Sequence, residues 1–311
     1  INGYRKNMND LVTDVKSLEL ETLKNLKNSK ALNTLRAYKS DYKDFASFCL
    51  RNGFKSMPSE PKIISLYLTY LSKSCKFSTL KRRLASISVI HKLSGRYIDT
   101  KHPMITENLM GIKRIKGSYQ KAKKPILINE LKLIVNVIDK DKNEENRFKN
   151  KALILIGFAG GFRRSELVAI VYEDVEFVSE GVKIFVKRSK TDQSGEGMTK
   201  GIPYFSNPDY CPVISLKNWI EKSEIKSGKI FDMSDKSVAL TVKKYTGIAG
   251  LDSNKYSGHS LRSGFATSTA ELGAEERSIM AMTGHKTTQM VRRYIQEANL
   301  FKNNALNKIK L

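Results

Sequence analysis

The sequence predicts a two-domain, mainly α-helical protein with one small antiparallel β-sheet. Three observations carry that reading. The 311 residues are long for one compact domain and enough for two, each with a core of its own. Apolar residues recur at helical spacing through most of the chain. Only between Val175 and Tyr204 does the period shorten towards two.

Residues 10–50 alternate apolar and polar at helical spacing, with Leu35, Tyr38, Tyr42, Phe45 and Phe48 as the inner set. Ser59-Glu-Pro61 starts a second helix, with Ile63, Leu66, Tyr67, Tyr70 and Leu71 facing inwards. A third begins near Ser78 and carries Leu84, Ile87, Ile90 and His91 before Gly95 ends it. A short helix around Ile105–Ile112 completes an all-helical unit over residues 1–115. The basic stretch from Gly111 to Pro125 has little apolar periodicity. It reads as an interdomain linker, placed at 116–125, whose charge suits it to run along phosphates. A second domain over 126–311 opens with a helix from Ile128 and a strongly apolar helix over Lys151–Phe158. Val175–Val178, Val182–Lys187 and Gly201–Tyr204 read as short strands, with Ser189–Gly195 as a polar loop. Helices then follow at about 212–223, 235–246, 261–272, 275–283 and 287–294.

Fifty-five Lys and Arg against 31 acids give a net charge of +24 and a pI near 9.8. The excess is present in both halves, so it is not a basic tail. A polyanion that touches both domains fits this balance, and duplex nucleic acid is the obvious one. A merely basic soluble protein, or a ribosome-associated one, is the bland alternative. Cys49, Cys75 and Cys211 are few, distant and without a CxxC pair, which argues for reduced thiols and against a zinc site. The longest apolar-leaning run, Ala152 to Phe162, is too short to span a bilayer, and no secretory leader pattern opens the chain. A cytoplasmic protein of prokaryotic or phage origin is expected.

Four pieces of the second domain carry chemistry. They are Gly160-Gly-Phe-Arg-Arg-Ser-Glu-Leu167, Lys190 after the second strand, Ser257-Gly-His-Ser-Leu-Arg262, and Gly284-His285 with Tyr294 nine residues on. Cutting a phosphodiester without a metal needs guanidiniums that hold the non-bridging oxygens, and these need no proton accounting. It needs an oxygen nucleophile whose phenolic proton, with a pKa near about 10, can be drawn off. The departing 5′-oxygen needs a proton, which a lysine acidified by neighbouring cations can donate. Singly, each piece is weak: a tyrosine among 13 is ordinarily a packing residue, and an Arg-Arg pair is usually a solvated face. Their conjunction and order carry the weight. His91 and His102 read as a helix-face residue and a loop residue.

This set resembles the tyrosine recombinase/integrase family: Arg-x-x-Glu-Leu, a hairpin Lys, His-x-x-Arg, Gly-His, then Tyr. Within the family the phage-type, Cre-like members look nearest. The resemblance covers essentially all of the second domain, and the helical unit is similar to the family's core DNA-binding domain with weaker motif support. It implies Arg163 and Arg262 as phosphate clamps and Glu166 as the acid that orients the site. His259 takes the base-like position, and His285 is a hydrogen-bond donor to the scissile phosphate. Tyr294 is the nucleophile, and Arg164 points elsewhere. Lys190 becomes the general acid, preferred over Lys183, Lys187 and Lys200 for its place in the turn.

Further expectations follow from the same resemblance. The two domains close as a C-shaped clamp on duplex DNA bearing inverted-repeat half-sites, and a homotetramer exchanges strands through a 3′-phosphotyrosine and a Holliday junction. A place on a mobile element and the absence of any cofactor or metal go with this. Ser78, Lys81, Arg82 and Arg83 read either as base or phosphate contacts or as a solvated face. Lys113, Arg114, Lys116, Lys123 and Lys124 are candidate phosphate contacts. The amphipathic segment Glu297–Leu311 either packs on its own domain or is exchanged with a neighbour. The rival functions are a type IB topoisomerase or telomere resolvase with the same chemistry, and a DNA-binding regulator without it.

Overall fold

A computed structural model of the chain describes residues 32–118, 122–189, 192 and 195–298, with a few positions nearer the termini. Two compact units emerge, residues 1–121 and 122–311.

The described part of the first unit includes four helices, α1 (Leu32–Arg51), α2 (Pro61–Ser72), α3 (Phe77–Leu93) and α4 (Pro103–Lys116). Their inner faces bury Phe45, Ile64, Tyr67, Leu68, Leu80 and Ile87 at helical spacing. Pro61 and Pro103 each occupy a first turn, where a missing N–H costs nothing. His102, expected in a loop, caps α4 by accepting from the Met104 amide at 3.2 Å. His91 is fully buried and takes the Ser59 amide at 3.2 Å, tying α3 to the start of α2.

One correction concerns the linker. Helix α4 runs to Lys116, and Gly117, at φ 70°, ends it. Lys113, Arg114 and Lys116 therefore lie on its last turn, where cations complement the exposed carbonyls.

The second unit opens on a strap, residues 122–127. The Lys124 amide donates to Lys255 O at 2.7 Å, and the Ile126 amide to Ser260 O at 3.0 Å. This seating requires Gly264, because a Cβ there would lie 2.0 Å from Ile126 O. Helices α5 (Ile128–Ile138), α6 (Glu144–Ala159) and the single turn α7 (Arg164–Leu167) follow. Residues 152–159 of α6 are buried on every side, which makes it the central post of the unit.

Strands β1 (Val175–Val178), β2 (Gly181–Val186) and β3 (Met198–Pro203) form an antiparallel sheet in the order β1-β2-β3. Strand β3 begins three residues earlier than its expected start at Gly201, because Met198 to Lys200 pair with Val186 to Ile184. Helices α8 (Pro212–Lys222), α9 (Asp235–Ile248), α10 (His259–Glu271), α11 (Glu276–Thr283) and α12 (Thr288–Ala298) complete the unit. Among the described residues no helix is long and apolar enough to cross a membrane.

Candidate active site

Arg163 stands at the turn between α6 and α7. Its backbone amide and its Nη1 both donate to the Glu166 carboxylate, at 3.0 Å and 2.5 Å. Glu166 is 4% exposed, so a single buried carboxylate fixes both the backbone and the guanidinium of Arg163. Arg164 turns away and pairs with Asp235 at 3.6 Å.

Helix α10 begins at His259, which puts His259 and Arg262 on one face of its first turn. Arg262 is 1% exposed, donating from Nη1 to Gly161 O at 2.8 Å and lying 2.9 Å through Nη2 from His285 Nε2. The Gly161 contact joins the second motif to the turn that carries Arg163. Among the described residues Arg262 Nε–H is buried and finds no acceptor, an unsatisfied donor inside the site. Gly284 ends α11 in the left-handed conformation at φ 62°, and this reversal delivers His285 to the site. One turn into α12 and beyond, Tyr294 places its hydroxyl 3.3 Å from His259 Nε2, with its ring centroid 6.2 Å from that of His285.

The structure thus brings Arg163, Glu166, His259, Arg262, His285 and Tyr294 together. Lys190 falls outside the described residues. Of the other lysines in that stretch, Lys183 pairs with Glu176 at 3.4 Å and Lys187 with Asp174 at 2.8 Å. Lys200 is 1% exposed and its Nζ donates to Gly160 O at 2.7 Å and Met282 O at 2.6 Å, 4.3 Å from the Phe162 ring centroid. It therefore pins the turn before Arg163 to the last turn before His285. The sequence held one signal for this: in β3 the inward positions are Lys200 and Ile202, so a lysine sits where period-two patterning puts a core residue.

The electrostatics are those of crowded cations. Burial, then the charges of Arg163 and Arg262, lower Lys200 to about 7, while Glu166 opposes the shift. Burial and Arg163 bring Arg262 down to about 10, still charged at neutral pH. Burial, then Arg262 and Arg163, bring His285 down to about 4. His259 is also lowered, by desolvation of its ring and then by Arg262, Arg163 and Arg164, although part of the residue remains exposed to water. Both histidines are neutral at pH 7, and His259 can accept a proton from the adjacent phenol. Among the described residues there is no cluster of side chains suited to a metal ion.

The candidate DNA-contacting residues divide by environment. Ser78, Lys81, Lys113, Arg114 and Lys116 are exposed. Arg82 bonds the buried Asp41, and Arg83 bridges Asp41 at 3.3 Å and Asp44 at 2.9 Å, so these two are anchored within the first unit. Lys123 Nζ bonds Asn254 O, and Lys124 Nζ reaches Glu130 at 2.8 Å, both within the second unit. The segment Glu297–Leu311 lies almost wholly outside the described residues.

Residues 126–300 match the phage integrase family. An integrase/recombinase xerD homolog of Selenomonas ruminantium is 43% identical over 307 residues, covering 94% of this chain and 89% of that protein. A tyrosine recombinase XerC of Leptospira interrogans is 23% identical, over 85% and 82% of the two chains. Among solved structures, the XerH site-specific recombinase bound to palindromic difH substrate, a post-cleavage complex, superposes with a TM-score of 0.67 at 17% identity. That likeness covers 98% of this chain and 92% of the other. A λ integrase (75–356) dimer bound to a COC′ core site gives 0.56 at 18% identity, over 95% and 99%.

Proposed function

We propose, because the chain belongs to the phage integrase family of tyrosine recombinases, that it cuts and rejoins duplex DNA with Tyr294 as the nucleophile. It is a site-specific tyrosine recombinase. The observation that carries the assignment of the nucleophile is the Tyr294 hydroxyl, 3.3 Å from a neutral His259 and within electrostatic reach of the Arg262 guanidinium.

In the proposed reaction the Tyr294 oxygen attacks phosphorus and its proton passes to His259. The P–O5′ bond breaks, leaving a 3′-phosphotyrosine, and a lysine returns a proton to the 5′-oxygen. Arg163 and Arg262 bind the non-bridging oxygens, whose negative charge grows in the transition state. Lys190 is the proposed acid. Support for it comes from its rivals: Lys183 and Lys187 pair with carboxylates, and both described hydrogen bonds of Lys200 Nζ go to internal carbonyls. The covalent bond conserves the energy of the broken ester, so religation needs no nucleotide.

At the level of assembly, the proposal is a cytoplasmic homotetramer on duplex DNA with inverted half-sites, each protomer closing its two units around the duplex as a clamp. Exchange then passes through a Holliday junction. The matched relatives favour neither the topoisomerase and telomere-resolvase readings nor the regulator.

The test is a nicked suicide substrate that cannot religate. Wild type should accumulate covalent protein–DNA adduct and Tyr294→Phe none; adduct from Tyr294→Phe would remove this residue as the nucleophile. Arg163→Ala and Arg262→Ala should still bind the site but cleave poorly.

A further inference from the structure

The Thr283 hydroxyl meets backbone carbonyls on one side and a ring nitrogen on the other. Its Oγ1 lies 2.6 Å from Ile279 O, 3.5 Å from Met280 O and 2.7 Å from His285 Nδ1. A threonine hydroxyl has a single proton and a carbonyl oxygen can only accept, so that proton is committed to Ile279. Towards His285 the hydroxyl is then an acceptor, and Nδ1 must carry the hydrogen. The other side of the ring gives the same answer independently. Arg262 Nη2 is 2.9 Å from His285 Nε2, and a guanidinium nitrogen only donates, so Nε2 must present its lone pair. An Nε2–H tautomer, or an imidazolium, would set N–H against N–H in a buried place.

We propose that Thr283 is a positioning residue: it fixes His285 as the Nδ1–H tautomer, so that the Nε2 lone pair holds the Arg262 guanidinium in place for the phosphate. The proposal rests on the recombinase reading of this site and alters one part of it. In this arrangement His285 supports Arg262 rather than offering a proton towards the phosphate. Gly161 O holds Nη1 of the same guanidinium from another direction. The lowered pKa of His285 agrees, since burial first, and then the charges of Arg262, Arg163, His259 and Lys200, disfavour its protonation.

A bond from a helical threonine to the carbonyl four residues back is common, and on its own would only trim the end of α11. The experiment therefore reads the tautomer as well as the rate. In 15N-labelled full-length protein at pH 7, long-range proton–nitrogen spectra should show Nδ1 protonated and Nε2 bare, with no titration of His285 between pH 5.5 and 8. Thr283→Val keeps the shape and removes the acceptor. It should bind the site like wild type but form adduct on the suicide substrate about ten- to a hundredfold more slowly, the range expected for one buried hydrogen bond lost. Thr283→Ser should restore the rate to within about twofold. A wild-type Nε2–H tautomer, an imidazolium at pH 7, or Thr283→Val cleaving at the wild-type rate would each overturn the proposal. Were wild type itself to form no adduct, the recombinase reading would fall, while the tautomer measurement would still judge the hydrogen-bond chain separately.

Discussion

Replacing Lys200 by methionine sets two large effects against each other, and pH decides between them. Loss of the ammonium strands two buried acceptors, Gly160 O and Met282 O, at about 1–3 kcal/mol each. It also removes a charge that burial disfavours. A folded-state pKa of about 7, against the ordinary 10.5, makes carrying that charge into the fold at acid pH cost roughly 5 kcal/mol. The folded-state pKa is depressed, so the unfolded chain holds the extra proton between the two values, and wild-type stability rises with pH across that window. Integrated from pH 6 to pH 9, the gain is roughly 3 kcal/mol. Lys200→Met should therefore be tolerated near pH 6 and clearly destabilising near pH 9. Urea unfolding followed by the fluorescence of Trp219, the one tryptophan and buried in the second unit, measures the difference at both pH values. A wild-type-minus-variant difference that stays constant from pH 6 to 9 would show that Lys200 keeps its proton on folding, and the argument would fail. The variant should also cleave more slowly at either pH, because Lys200 ties the Arg163 turn to the His285 turn.

Other consequences can be measured on the same protein. Glu166→Gln leaves Arg163 without a charged partner and cannot accept from both of its donors, so adduct formation should slow by roughly ten- to a hundredfold with site binding retained; an unchanged rate would show that Glu166 does not orient Arg163. Asp41→Asn removes the buried counter-charge of Arg82 and Arg83 and an acceptor for Ser86. With Arg82 half exposed, the cost is about 2–3 kcal/mol, below that of a fully buried pair, and faster hydrogen exchange in α1 and α3 would report it. His259 has its pKa lowered from 6.5, and a base works only when neutral. Single-turnover cleavage should therefore be level from pH 8 to 7 and fall only as pH drops below about 6.5. A decline already evident between pH 8 and 7 would exclude His259 as the acceptor of the phenolic proton.

What was legible in the sequence was whatever is local. His259 and Arg262 three residues apart, Glu166 three after Arg163, and Tyr294 nine after His285 are spacings that a helix turn or a short reversal converts directly into proximity. The sheet was legible from its period, though its third strand was placed late, because pairing with β2 sets the start of β3. Roles created by convergence were not legible. Lys200 matters because β3, the end of α6 and the end of α11 meet at its ammonium, and no interval in the sequence encodes that meeting. Thr283 reads as an ordinary helical residue until both neighbours of its hydroxyl are known. Arg82 and Arg83 read equally as DNA contacts or as a solvated face, and their pairing with Asp41 and Asp44, some 40 positions earlier in the chain, is encoded in no interval of the sequence.

The same crowding that identifies the site also explains how it is held. Two guanidiniums, an ammonium whose pKa has fallen to about 7 and two neutral imidazoles surround a single buried carboxylate. Each cation lowers the proton affinity of the next, so the site is less stable than its packing alone would make it. Internal acceptors compensate: Gly161 O for Arg262, Gly160 O and Met282 O for Lys200, and Glu166 for Arg163. These are mostly backbone carbonyls, which neutralise no charge and leave the positive potential in place. A phosphodiester entering such a pocket meets donors that are already oriented, and the second negative charge of the transition state is stabilised more than the first. In the proposed reaction, this is how the Tyr294 phenol displaces the 5′-alkoxide. The positions of the carbonyls that hold the cations therefore matter to the reaction as much as the cations themselves.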